Sequence, residues 1–148
     1  MSESMGSVTQ ICFIPVTNVD IFNAVGRYAY LRLREDGLTL PAALKKSELS
    51  AEPSDEDSGY YHEHKAVIYI PQGNVDDNLL SLVDENYFLY GLIKYKIFNG
   101  TEYVLGSKSL PLKLSLSESH PEEAADFNGY VLTLSSKLPH KQLLVKTI

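Results

Sequence analysis

Asn99-Gly100 stands directly between two runs rich in aromatic and β-branched residues, 87–98 and 101–105. Asn-Gly in that setting is the strongest local signal for a hairpin, because a type I′ turn needs positive φ at both central positions and these two residues adopt it most readily. At least one antiparallel pair of strands is therefore expected here. The flanking sequence is then best searched for period-two alternation.

That alternation recurs along the chain. Residues 8–14 form a short apolar run closed by Pro15, as a strand before a turn would. In residues 27–34, Tyr28, Tyr30, Arg32 and Arg34 share one face, and Ala29, Leu31 and Leu33 share the other. Residues 60–70 place Ala66, Ile68 and Ile70 on one face before Pro71-Gln72-Gly73 ends the run. Leu110, Leu112, Leu114 and Leu116 alternate with polar residues, and Asn128-Gly129 leads into a strand with Tyr130, Leu132 and Leu134 on one face. Residues 38–44 contain Pro41 and read as an edge strand or packed loop. Leu79, Leu82 and Val83 have helical spacing, which predicts one short helix over 75–85. About seven strands and one helix indicate an all-β fold, an antiparallel β-sandwich or a partly closed barrel.

At 148 residues the chain is one domain. Residues 46–58 collect acids around Pro53 with little to bury, so a mobile acidic loop is expected there. Residues 138–148 carry Lys141 and Lys146 and no acid, and read as a C-terminal arm. The net charge of −6 argues against a surface given over to sequence-specific nucleic-acid binding. The start of the chain has no basic region before an apolar one, and no run of about 20 apolar residues occurs, so neither a signal peptide nor a membrane span is expected. Cys12 is the single cysteine and sits within Ile11-Cys12-Phe13-Ile14, where a buried, inert thiol is expected.

Motifs for chemistry are sparse. His62-Glu63-His64 is the one metal-like cluster, since alternate residues of a strand share a face, but it lacks a third ligand and His62 and His64 remain weak candidates. His120 and His140 read as surface histidines. Leu105-Gly106-Ser107-Lys108-Ser109 lacks the second glycine of a nucleophile elbow and reads as a turn at Gly106. Phosphate-binding fingerprints are missing, so no cofactor and no enzymatic activity are expected. Bases interleave with tyrosines at 28–34 and 90–96, a pattern that serves stacking platforms as well as sheet packing.

The run Tyr103-Val-Leu-Gly106, then Leu110-Pro-Leu-Lys-Leu114, then Asp126-Phe-Asn-Gly-Tyr130-Val-Leu-Thr-Leu-Ser135, and Leu138-Pro-His140, resembles the C-terminal half of small all-β proteins encoded in phages and prophages of Bacteroidota. The resemblance covers about a third of the chain. It implies a virion structural protein, made in the bacterial cytoplasm and built into a ring or tube of the neck or tail. Its partners would be copies of itself and other neck or tail proteins. Asn99, Gly100, Gly106, Asn128, Gly129 and Tyr130 would act as structural turn and strand-start residues. On this reading Leu138, His140, Lys141, Leu143 and Leu144 of the C-terminal arm are expected to contact a neighbouring subunit. The alternative is a monomeric β-sandwich module that binds carbohydrate or a protein ligand through exposed tyrosines.

Overall fold

The computed structural model describes residues 8–42, 44, 47–56, 59–71, 90–119 and 129–147. Their strands are β1 (Val8–Pro15), β2 (Val19–Val25), β3 (Tyr28–Leu33), β4 (Leu38–Thr39), β5 (Glu48–Glu56) and β6 (Gly59–Pro71). After these come β7 (Tyr90–Ile97), β8 (Glu102–Leu105), β9 (Leu112–Ser119), β10 (Gly129–Leu138) and β11 (Leu143–Thr147). A short 3-10 helix, Val16–Asn18, joins β1 to β2. The fold is all-β, a sandwich-like mixed sheet that does not close into a barrel. The helix expected over 75–85 lies outside the described residues, as do His120 and Asn128.

β7 organises the sheet. It pairs with β1 along one edge, and its other edge is shared between β9 at Tyr90 and Gly91 and β8 from Ile93 onward. The sheet therefore forks. One branch runs from β8 through β11 and β3 to β2, and the other from β9 through β10 and β6 to β5. Folding over, the branches cover the two faces of the β1–β7–β8 layer. Ile11, Phe13, Ile93 and Leu105 pack with Ala66, Ile68, Ile70, Leu112, Leu132 and Leu134 from the β9–β5 branch. Cys12, Ile14, Leu92 and Val104 point the other way and pack with Ala29, Leu31 and Leu143. Burial on both faces is why Ile11-Cys12-Phe13-Ile14 is apolar without alternation, whereas β6 and β10, with one wet face, alternate.

Two expectations change at the sheet margins. Residues 48–56 are not a mobile loop but edge strand β5, paired residue by residue with β6. Leu49 is buried and Ala51 packs on the core, while Glu48 and Glu52 face outward. Charge and proline, which suggested a loop, are what natural proteins place on exposed strand edges to discourage unwanted pairing. The C-terminal residues are not an arm reaching outward either. β11 inserts between β8 and β3, pairing antiparallel with the first and parallel with the second. That parallel pair makes the sheet mixed rather than purely antiparallel.

The Asn99-Gly100 hairpin forms between β7 and β8, with Tyr95 stacked on Tyr103 across the pair at 5.4 Å between ring centres. Its turn is not type I′. Among the described residues positive φ is confined to glycine, so only Gly100, at +90°, is left-handed here. Gly100 N–H donates to Ile97 O at 2.9 Å and Ile97 N–H donates to Thr101 O at 3.0 Å. Phe98, Asn99 and Gly100 thus make a three-residue loop, a type I turn followed by a left-handed glycine. Asn99 Oδ1 accepts from Thr101 N–H at 2.9 Å, a local bond that suits Asn to the position.

Candidate functional site

His62 and His64 lie on β6, flanked by β5 and β10. His64 is fully buried at 0% exposure, on the same strand face as Ala66, Ile68 and Ile70. Gly106 N–H donates to His64 Nδ1 at 3.0 Å. Nδ1 must therefore be the acceptor, which places the ring proton on Nε2, 2.7 Å from the His140 carbonyl to which it donates. Burial holds the His64 pKa down at about 4, against a smaller opposing effect from the His140 carbonyl; the nearby His140 and His62 rings also lower it. The imidazole is thus neutral at pH 7. It ties together the turn after β8, strand β6 and the segment after β10.

This arrangement bears on His62 and His64, the weak metal candidates of the sequence. Both His64 ring nitrogens are committed to backbone groups, and a metal would have to break one of those bonds. Among the described residues no three His, Cys, Asp or Glu side chains are grouped to hold an ion. His62 Nδ1 is buried without a hydrogen-bond partner among the described residues. His140 is not a freely exposed histidine: its ring meets that of His64 edge-on at 5.6 Å, and its carbonyl accepts the His64 Nε2–H hydrogen bond.

Gly106 itself has φ of +85°, and a Cβ there would come within 3.0 Å of Leu112. A glycine is required on both counts. Gly129 and Tyr130 open β10, with Tyr130 packed on the core. Leu138 and Leu143, expected to touch a neighbour, are 1% and 2% exposed and belong to this chain's own interior. Leu144 is half-buried in the β11 ladder between Tyr28 and Tyr103. Of that set Lys141 is exposed.

Cys12 is buried, with Sγ 4.0 Å from the Phe13 carbonyl. Burial pushes its thiol pKa up, with nearby Lys94 opposing and Asp36 and Glu102 adding to the rise. The thiol is expected to resist a disulfide reagent such as dithionitrobenzoate in the native protein and to react fully in denaturant. Rapid native labelling would contradict its position in the core.

Among the described residues, a groove, an outer sheet face and the sheet edges are candidates for contact with other molecules. A shallow groove of about 480 Å³ is lined by Thr9, Gln10, Thr39, Leu40, Pro41 and Lys96 beside β1 and β4. Among the described residues that line it there is no acid and no base besides Lys96. The outer face of β3 and β11 carries Tyr28, Tyr30, Arg32 and Lys146, with Lys146 Nζ 5.2 Å from the centre of the Tyr28 ring. Next to it β2 is the end of one branch of the sheet, as β5 is of the other. These two edges differ in chemistry. Asp20 is the one charged residue of β2, and Arg34 lies 3.6 Å from its carboxylate while Lys108 donates to its carbonyl at 2.9 Å. Residues 21–25 beyond it are uncharged, with Asn23, Ala24 and Val25 exposed. β5 carries Glu48, Glu52, Asp55 and Pro53.

No protein-family model, no curated protein and no solved structure matches this chain.

Proposed function

We propose that this protein is a structural subunit of a phage virion, assembling through protein–protein contacts into a ring or tube of the neck or tail. The observation that carries the proposal is the pair of unlike edges, β2 and β5, at the two ends of one sheet path. Contacts between unlike patches are heterologous, and heterologous contacts build rings when the rotation closes and tubes or filaments when it does not. The segments that resemble phage proteins support the same reading. Gly106 and His140, from the first and last of them, are both bonded to His64 and so form part of one rigid frame. Such a frame suits a subunit that must present edges at fixed angles.

Light scattering over a range of concentrations, with negative-stain imaging, tests the proposal. Rings or short tubes are the expected result. A monomer at every concentration would overturn it. The basic and aromatic face formed by Tyr28, Tyr30, Arg32 and Lys146 would then favour a monomeric module that binds an acidic protein ligand or a carbohydrate through its tyrosines.

A further inference from the structure

An open strand edge offers unpaired N–H and C=O groups to any extended chain, and natural proteins blunt such edges with charge, proline or a bulge. β2 ends one branch of the sheet and has a bulge between Val19 and Ile21, but residues 21–25 beyond it pair regularly with β3 and carry no charge and no proline. The two-residue turn Gly26-Arg27 makes Val25 and Tyr28 a hydrogen-bonded pair, and such pairs alternate along an antiparallel ladder. Asn23 therefore bonds to β3 as Val25 does, while the N–H and C=O groups of Phe22 and Ala24 point away from it. Among the described residues none of these four groups has a hydrogen-bond partner.

Cations surround this stretch. At one end Lys108 Nζ donates to the Asp20 carbonyl at 2.9 Å, and at the other Arg27 is exposed in the turn. Phe22 packs inward against the core, so Ile21, Asn23 and Val25 lie on the outer face. On that face Arg32 stands opposite Ile21 and Tyr28 opposite Val25, with Lys146 reaching over the Tyr28 ring. The Asp20 carboxylate already lies beside Arg34, and Glu35 and Asp36 follow Arg34 on the far side of the bulge, where its N–H donates to the Asn18 carbonyl. Among the described residues Arg27, Arg32, Lys108 and Lys146 have no ion pair. A chain of net charge −6 thus gathers four such cations around its one stretch of uncharged open edge at β2.

The geometry points to an extended acidic segment of another protein as the occupant, added to β2 as an outer strand. In strand addition the backbone bonds supply affinity and the alternate side chains supply specificity. Here the backbone of the segment meets Phe22 and Ala24, and its inward side chains, lying beside theirs, are apolar. Its outward side chains are carboxylates facing Arg32 and Lys146, between Lys108 at one end and Arg27 at the other. A second copy of this chain fits less well. Antiparallel pairing of β2 with itself about Asn23 sets the Lys108 end of one copy against the Arg27 end of the other, cation against cation. β5 of a second copy is not a free strand to add, because Leu49 in it already has a partner. The inference goes beyond the assembly proposed above, since it joins the subunit to a different protein.

Fluorescence anisotropy with a dye-labelled Glu-Val-Glu-Val-Glu peptide tests it, with Lys-Val-Lys-Val-Lys as the control. The acidic peptide is expected to bind and the lysine peptide is not. Arg32→Glu should weaken binding several-fold, and so should added salt. Ala24→Pro separates strand addition from charge attraction alone. It removes an N–H that β3 does not use, and proline is tolerated on an edge strand when its missing N–H faces outward, so circular dichroism should show the fold kept. Binding to this variant is expected to fall several-fold. Undiminished binding to it would overturn strand addition, and equal binding of the two peptides would overturn the acidic partner. Rings on light scattering without peptide binding would overturn this interface and leave the assembly proposal standing. Binding of the acidic peptide by a protein that stays monomeric would support the interface and count against the ring.

Discussion

Replacing His64 with alanine is expected to lower the stability of the protein by about 4 kcal/mol, and with it the pH dependence of folding between about pH 4 and 6.5. The substitution leaves Gly106 N–H and the His140 carbonyl without their partner. Unmet buried groups cost about 1–3 kcal/mol each, and the lost ring adds a cavity beside the core. For a domain of this size the thermal midpoint should fall by about 10 °C or more.

The pH effect has a definite sign. His64 has a folded-state pKa of about 4 against 6.5 when exposed, so between those values the unfolded chain binds more protons than the folded one. Stability contributed by neutral His64 is complete above pH 6.5, declines as the pH falls, and is fully lost near pH 4, where the curve levels. The shift corresponds to about 3 kcal/mol. Carboxylates also titrate in this range, so the informative quantity is the difference between wild-type and His64→Ala unfolding free energies measured by denaturant at several pH values. A difference that shrinks from neutral pH to pH 4 is expected. A constant difference would mean that His64 is not held neutral by its surroundings.

Much of the sheet is legible because one-faced strands announce themselves. β6 and β10 alternate, and the faces assigned to Ala66, Ile68, Ile70, Leu132 and Leu134 are the buried ones. Carried back by one step, the β6 alternation places His64 in the interior, although His-Glu-His also has the spacing of a metal pair. β5 is hard to tell from a solvated loop, since the charges and proline that keep an edge strand from pairing are the residues a loop also carries. β2 hid behind its polar start at Asn18 and Asp20, although Gly26, left-handed at +61°, closes a tight turn into β3. β11 pairs with β3 across most of the chain, and parallel pairing at that separation leaves no local pattern to read. The loop type at Asn99-Gly100 depends on where the strand pairing ends, which the dipeptide does not determine.

The second large effect is expected at Gly91, where β7 changes from pairing with β9 to pairing with β8 while β1 stays on its other edge. Gly91 has ordinary backbone angles, so its conformation does not demand glycine. Space does. A Cβ at this position would overlap the Ile14 carbonyl oxygen and lie 2.6 Å from the Phe13 ring. Both obstacles are buried in the central layer, where Phe13 and Ile14 are 1% and 0% exposed, so neither can swing aside into solvent. Relief would require β1 to move away from β7, separating the strands that form the two hydrophobic clusters on either face. Overpacking of a rigid core costs about 1–3 kcal/mol where side chains can adjust, and more where backbone must shift. Gly91→Ala is therefore expected to destabilise the protein by at least about 3 kcal/mol. Gly26→Ala supplies the contrast: that glycine sits at an exposed turn with nothing within 4 Å of the added Cβ, so the penalty there is confined to its left-handed backbone and should be about 1 kcal/mol. Denaturant unfolding of the two variants side by side separates the causes. Equal losses would show that the β1–β7 contact yields as easily as a surface turn, and the account of β7 as the fixed centre of the sheet would fail.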